Sequence, residues 1–177
     1  SITEGWSNFD PNFFIDNHYV NRGISGQTTP QMLIRFKPDV VNLKPKSVVI
    51  LAGINDIAEN TGPIKIENIA ENIFSMSEIA RANNIKVFIC SVLPAKAFPW
   101  SPSIKNVAEK VIKLNSILEN YCLENEIHYV DYHSKMDDGN GGLKVPQHTT
   151  KDDLVHPNKE GYKVMEEVIS IFLNTNN

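Results

Sequence analysis

The chain has 177 residues, a length that supports one substantial hydrophobic core and excludes two independent ones, so a single domain is expected over residues 1–177. Apolar residues make up 41% and charged residues 21%, and the net charge of −4 excludes the basic footprint of a protein that grips nucleic acid or an anionic membrane. No apolar run approaches the length needed to cross a bilayer and no leader is visible, so small-molecule partners are expected, in the cytoplasm or after export with a leader outside this sequence.

In chain order, a polar, aromatic-rich start leads into HYVNRGISGQTT at 18–29. This reads as a short strand broken by Gly23 and Gly26, followed by Thr28 as a helix cap with Pro30 in the first turn. SVVILAG at 47–53 is β-branched and apolar without alternation, the pattern of a strand buried on both faces of a parallel sheet. IKVFICSV at 85–92 repeats it, and IHYVDY at 127–132 is a shorter version. Between and after these strands, apolar residues three and four apart predict helices over about 67–82, 104–125 and 159–173. Alternating strands and helices imply an α/β sandwich, three layers deep, with a mainly parallel sheet. In such a fold ligands bind at the carboxyl ends of the strands. That places Gly23, the stretch from Gly53 to Asp56, and the loop from Leu93 to Trp100 along one edge. DDGNGGLK from Asp138 reads as a loop, and Cys90 and Cys122 read as small buried apolar residues without metal spacing.

Of the five histidines, only His156 has an acid at a short fixed offset, Asp153, and a Pro-Asn pair opening an amphipathic helix behind it. A histidine acting as general base needs an acceptor on its other ring nitrogen, and one turn of loop supplies that geometry. His18, His128, His133 and His148 read as surface or strand-edge residues. In AGINDIAEN, a buried strand ends at Gly53. Asn55 there has an amide that can donate to an oxyanion, and Asp56 can support the loop by accepting backbone hydrogens, although Asn and Asp are also ordinary turn residues. The glycines of NRGISG permit close backbone approach to a ligand or simply turn the chain.

Taken in order, the serine at the start, Gly23, the Gly-x-Asn-Asp of 53–56 and the Asp-x-x-His of 153–156 resemble the blocks of the SGNH hydrolases, also called the GDSL esterase family. The resemblance implies a flavodoxin-like sheet, no cofactor or metal, and hydrolysis of a small acyl ester such as an acetyl group on carbohydrate or a short chain on lysophospholipid. It implies Ser1 as nucleophile, His156 as base and Asp153 as its orienter. The oxyanion hole would combine the backbone N–H groups of Ser1 and Gly23 with the Asn55 side chain. The family's Gly-Asp before the serine and the strand that carries it lie outside this sequence, so a first strand is expected upstream of Ser1. Phe98 and Trp100, in the loop after the 85–92 strand, are candidate walls for the substrate. The absence of a long apolar lid favours small acyl groups over interfacial lipids. Rival readings are an N-terminal-nucleophile hydrolase, a metal-dependent hydrolase with His148, Asp152 and His156 as ligands, and a non-catalytic ligand-binding domain of the same fold.

Overall fold

The structure is a computed structural model, and it describes residues 1–174. In chain order its elements are α1 (Ile2–Phe9), α2 (Pro11–Asp16), α3 (Thr29–Asp39), a 3-10 turn at Val41–Leu43, β1 (Ser47–Ile50), α4 (Ile54–Ile57) and α5 (Ile66–Ala82). They continue with β2 (Lys86–Cys90), α6 (Val107–Glu124), β3 (His128–Val130), α7 (His133–Met136) and α8 (Lys159–Asn174). The three apolar runs form a parallel sheet in the order β1-β2-β3, with Val49 opposite Phe88 and Ile89 opposite Tyr129.

Because side chains alternate across a strand, β2 feeds two cores at once. Val87 and Ile89 pack among residues of α3, α5 and α6, whereas Phe88 and Cys90 pack among residues of α1 and α8. Helices therefore cover both faces of the sheet, the α/β/α arrangement expected from the continuous apolar character of the strands. Among the described residues, no helix is long and apolar enough to cross a membrane.

Two features differ from the expectation. The aromatic-rich start is helical: Ile2 and Trp6, one turn apart, are buried on one face of α1, and Asp10 caps α2 by accepting the Phe13 N–H at 3.0 Å. The strand expected near residue 20 does not form: among the described residues β1 pairs only with β2, and this segment joins no ladder. Side chains hold it instead. The Asn21 amide donates to the Thr3 carbonyl and to Ser7 Oγ, and Glu4 accepts the Ser25 N–H at 2.8 Å.

Candidate active site

The loop before α8 is organised by its own polar groups. Thr149 Oγ1 donates to the His156 carbonyl at 2.8 Å, and Asn158 caps α8 by accepting the Gly161 N–H at 3.0 Å while its N–H donates to the His148 carbonyl at 2.8 Å. Within this frame Asp153 Oδ1 accepts the N–H groups of Val155 and His156 at 3.1 and 2.8 Å. The same carboxylate faces His156 Nδ1, at 2.8 and 3.0 Å from its two oxygens. Burial pushes the Asp153 carboxyl up, but the His156 backbone and ring bonds, the imidazole charge and the Val155 N–H together outweigh it and hold the group below its ordinary value. A carboxylate on Nδ1 keeps the proton on that nitrogen, which leaves Nε2 as an acceptor. His156 Nε2 lies 2.8 Å from Ser1 Oγ.

Residues 1 and 156 meet because α1 docks on α8. The Tyr162 hydroxyl donates to the Ile2 carbonyl at 2.8 Å in a buried bond, and Trp6 Nε1 donates to Glu166 Oε1 at 2.8 Å. Trp6 also stacks on Tyr162, with ring centroids 5.8 Å apart. The helix that begins just after His156 thus fixes the helix that begins just after Ser1. Ser1 is the N-cap of α1, so negative charge developing beside its hydroxyl faces the positive end of that helix.

Gly23 lies against the first turn of α1, where a Cβ would come 2.5 Å from the Glu4 nitrogen, so only glycine permits this approach. Its N–H donates to Asn21 Oδ1 at 2.9 Å. Asn55 follows the turn after β1, in which Gly53 has a φ of +116° and a Cβ would meet Leu114 at 2.7 Å. The Asn55 amide donates one hydrogen to the Gln27 carbonyl at 2.9 Å, and the amide's second hydrogen is available to a ligand. Asp56 is buried and reaches across to α3: its oxygens accept the Thr29 N–H at 3.0 Å and the Thr29 hydroxyl at 2.7 Å. Burial raises its carboxyl above the ordinary value, with the Thr29 bonds acting in the opposite direction. Trp100 is 51% exposed, and its ring centroid lies 5.9 Å from that of His156. Phe98, 5.4 Å behind Trp100, is almost wholly buried and backs it from the core.

His148 does not join this group. It is buried, its ring bonds the Met136 carbonyl, and Nδ1 has no hydrogen-bond partner among the described residues. No group of three or more His, Cys, Asp or Glu residues suited to hold a metal ion is found among the described residues. Cys90 and Cys122 are free thiols, both buried.

Residues 1–164 match the model of the GDSL-like lipase/acylhydrolase family. The chain belongs to that family. As a member, it is a carboxylic ester hydrolase that acts on acyl esters. A Bacteroides fragilis protein described as an acylhydrolase is 50% identical, with a TM-score of 0.95 over 98% of this chain and 83% of its own. A GDSL-like lipase from Bacteroides thetaiotaomicron is 47% identical, with a TM-score of 0.95 over 99% and 85% of the two chains. The uncharacterized lipoprotein YqeF of Bacillus subtilis is 35% identical over 78 residues, which make up 42% of this chain and only 32% of that protein.

Several residues that hold this GDSL-family site were not singled out in the sequence. Asn115 is buried in α6 and bonds both the N–H and the carbonyl of Val92, at 2.7 and 2.9 Å, which fixes the start of the loop leading to Trp100. Tyr162, Trp6 and Asn21 likewise act across long sequence separations, and their residue types carry no local signal.

Proposed function

We propose that the chain hydrolyses small acyl esters through an acyl-enzyme on Ser1, with His156 as general base and acid and Asp153 as the orienting carboxylate. The observation that carries this reading is the unbroken line of polar contacts from Asp153 to His156 to Ser1, 2.8 Å at each step. Ser1 Oγ attacks the acyl carbonyl as Nε2 takes its proton, and the Asp153 carboxylate stabilises the imidazolium that results. The tetrahedral oxyanion forms at the N-terminal end of α1, beside the second Asn55 amide hydrogen and the Ser1 backbone nitrogen. Gly23 adds its N–H when Asn21 Oδ1 releases it. Collapse expels the alcohol, which receives the proton from Nε2 and leaves the acyl group on Ser1. A water then gives its proton to Nε2 and attacks the ester carbon. The carboxylic acid departs and Ser1 recovers its hydrogen.

Solved structures of similar fold include an acetyl xylan esterase, 17% identical with a TM-score of 0.73 over 98% of this chain and 96% of its own. That likeness concerns the fold. The preference for a short acyl group rests on the site: a half-exposed Trp100 stands beside His156. The test is hydrolysis of an acyl-length series from acetyl to decanoyl by the wild type and by Ser1→Ala, His156→Ala and the double variant. Each single variant should lose most of the activity, and the double variant should be scarcely worse. Additive losses would contradict the shared mechanism.

A further inference from the structure

The identity of the alcohol half of the ester is a separate question, and a cavity bears on it. It measures about 560 Å³ and adjoins the loop that carries Asp153 and His156. That loop gives one wall, with Lys151, Asp152 and Leu154; the loop between β2 and α6 gives the other, with Lys96, Phe98 and Lys105. Trp100 connects cavity and triad, touching His156 with one side and the cavity residue Phe98 with the other, at centroid distances of 5.9 and 5.4 Å. A group seated against Phe98 is thus separated from the imidazole by the Trp100 indole, a gap for a sugar or glycerol unit resting on that ring to span.

The charge of the cavity runs against that of the chain. Three lysines and one aspartate line it in a protein whose net charge is −4. Lys96 is bound to Asp138 at 2.7 Å, but Lys105 donates only to the uncharged Pro102 carbonyl, at 2.8 Å. Among the described residues no ion pair involves Lys105, Lys151 or Asp152. Lys105 and Lys151 therefore border one concavity against the single carboxylate of Asp152, a net positive charge, and its remaining walls, including Pro99 and Ile104, are largely apolar. Both lysines are solvent-exposed, so their attraction for an anion is modest and falls as salt rises.

We propose that this cavity receives an anionic group, a carboxylate or a phosphate, on the alcohol half of the substrate. Lys105 and Lys151 are its charge partners, and Trp100 is the platform for the unit that joins the anion to the ester. The proposal rests on the ester-hydrolase reading above. It makes Lys105 and Lys151 specificity residues: they select which ester is presented and leave the chemistry of Ser1 untouched.

The experiment compares matched esters that differ in charge: acetylated methyl glucuronoside against acetylated methyl glucoside, and acetylated glycerol 3-phosphate against acetylated glycerol. In at least one pair the charged ester should show kcat/KM about tenfold higher at low salt, as expected for two exposed ion pairs acting together. The preferred pair identifies the anion as a sugar carboxylate or a glycerol phosphate. Raising the salt to about 1 M should shrink the ratio in the wild type, because the Debye length then falls to about 3 Å. In the Lys105→Gln/Lys151→Gln variant, checked for an unchanged melting temperature, the ratio should fall to near one. Equal rates for both pairs in the wild type, or a preference that survives in the double variant, would overturn the anion site alone. Failure to hydrolyse any of the four esters would overturn the ester-hydrolase reading with it.

Discussion

At the scale of single residues, the site divides its polar groups between those that react and those already occupied. Asn55 spends one amide hydrogen on the Gln27 carbonyl, so its side chain is held in place with the other hydrogen free for the oxyanion. A donor used mainly in the transition state affects turnover more than binding, and Asn55→Ala should lower kcat by about 10²–10³-fold with KM comparatively unchanged. Steady-state kinetics on a soluble acetyl ester measure this, and an unchanged kcat in a folded variant would make Asn55 a turn residue only. Asp153 makes a pH prediction. Its folded carboxyl titrates below the unfolded value, so its contribution to stability is present above the ordinary carboxylate range and is lost as pH falls through the lowered value. Melting temperature plotted against pH should therefore fall more steeply on the acid side for the wild type than for Asp153→Asn. A parallel pair of curves would show that the carboxylate contributes nothing to the fold.

At the scale of elements, two tertiary bonds do what local sequence does not. Tyr162 ties α8 to the first turn of α1, and Asp56 ties the turn after β1 to the start of α3. Tyr162→Phe leaves the Ile2 carbonyl without its buried partner and should cost about 0.5–1.5 kcal/mol. Because Ser1 rides on that turn, kcat should drop with little change in KM. A variant that loses stability but keeps full kcat would show that the bond supports the fold without positioning Ser1. Asp56→Ala strands the Thr29 N–H in the core and should cost about 1–3 kcal/mol, read as a lower urea midpoint. The sequence made the strands, α3, α5, α6 and α8 legible, because β-branched runs and spaced apolar residues are local patterns. It left α1 and α2 unread: Gly5 interrupts the apolar spacing of α1, and the Asp10-Pro11 pair, itself a helix-start signal, opens a helix of only six residues. It also suggested a strand near residue 20, where the β-prone pair Tyr19-Val20 lies in a segment held instead by the side-chain bonds of Asn21 and Glu4. Asp153 and His156 were legible because they stand three positions apart; Tyr162 and Asn21 were not, because their partners stand 160 and 18 positions away.

At the scale of the whole molecule, the sheet divides labour between two cores, and each thiol lies in one of them. Burial raises the Cys90 thiol far above its ordinary value and pushes Cys122 up to about 12, so neither forms a reactive thiolate near neutral pH. Iodoacetamide should label neither cysteine in the native protein and both after denaturation, as read by intact mass. Rapid labelling of the native chain would mean that one core opens readily.

One of these cores brings residues far apart in the chain together. Ser1 starts the helix that covers one face, and His156 ends the loop from which the last helix packs on it. The most direct test of that account is reaction with an alkyl fluorophosphonate followed by peptide mapping. A single adduct should form on Ser1, with loss of esterase activity in proportion to labelling, and His156→Ala should slow its formation by orders of magnitude. An adduct on another residue, or inactivation that leaves Ser1 unmodified, would contradict the assignment of Ser1 as the nucleophile.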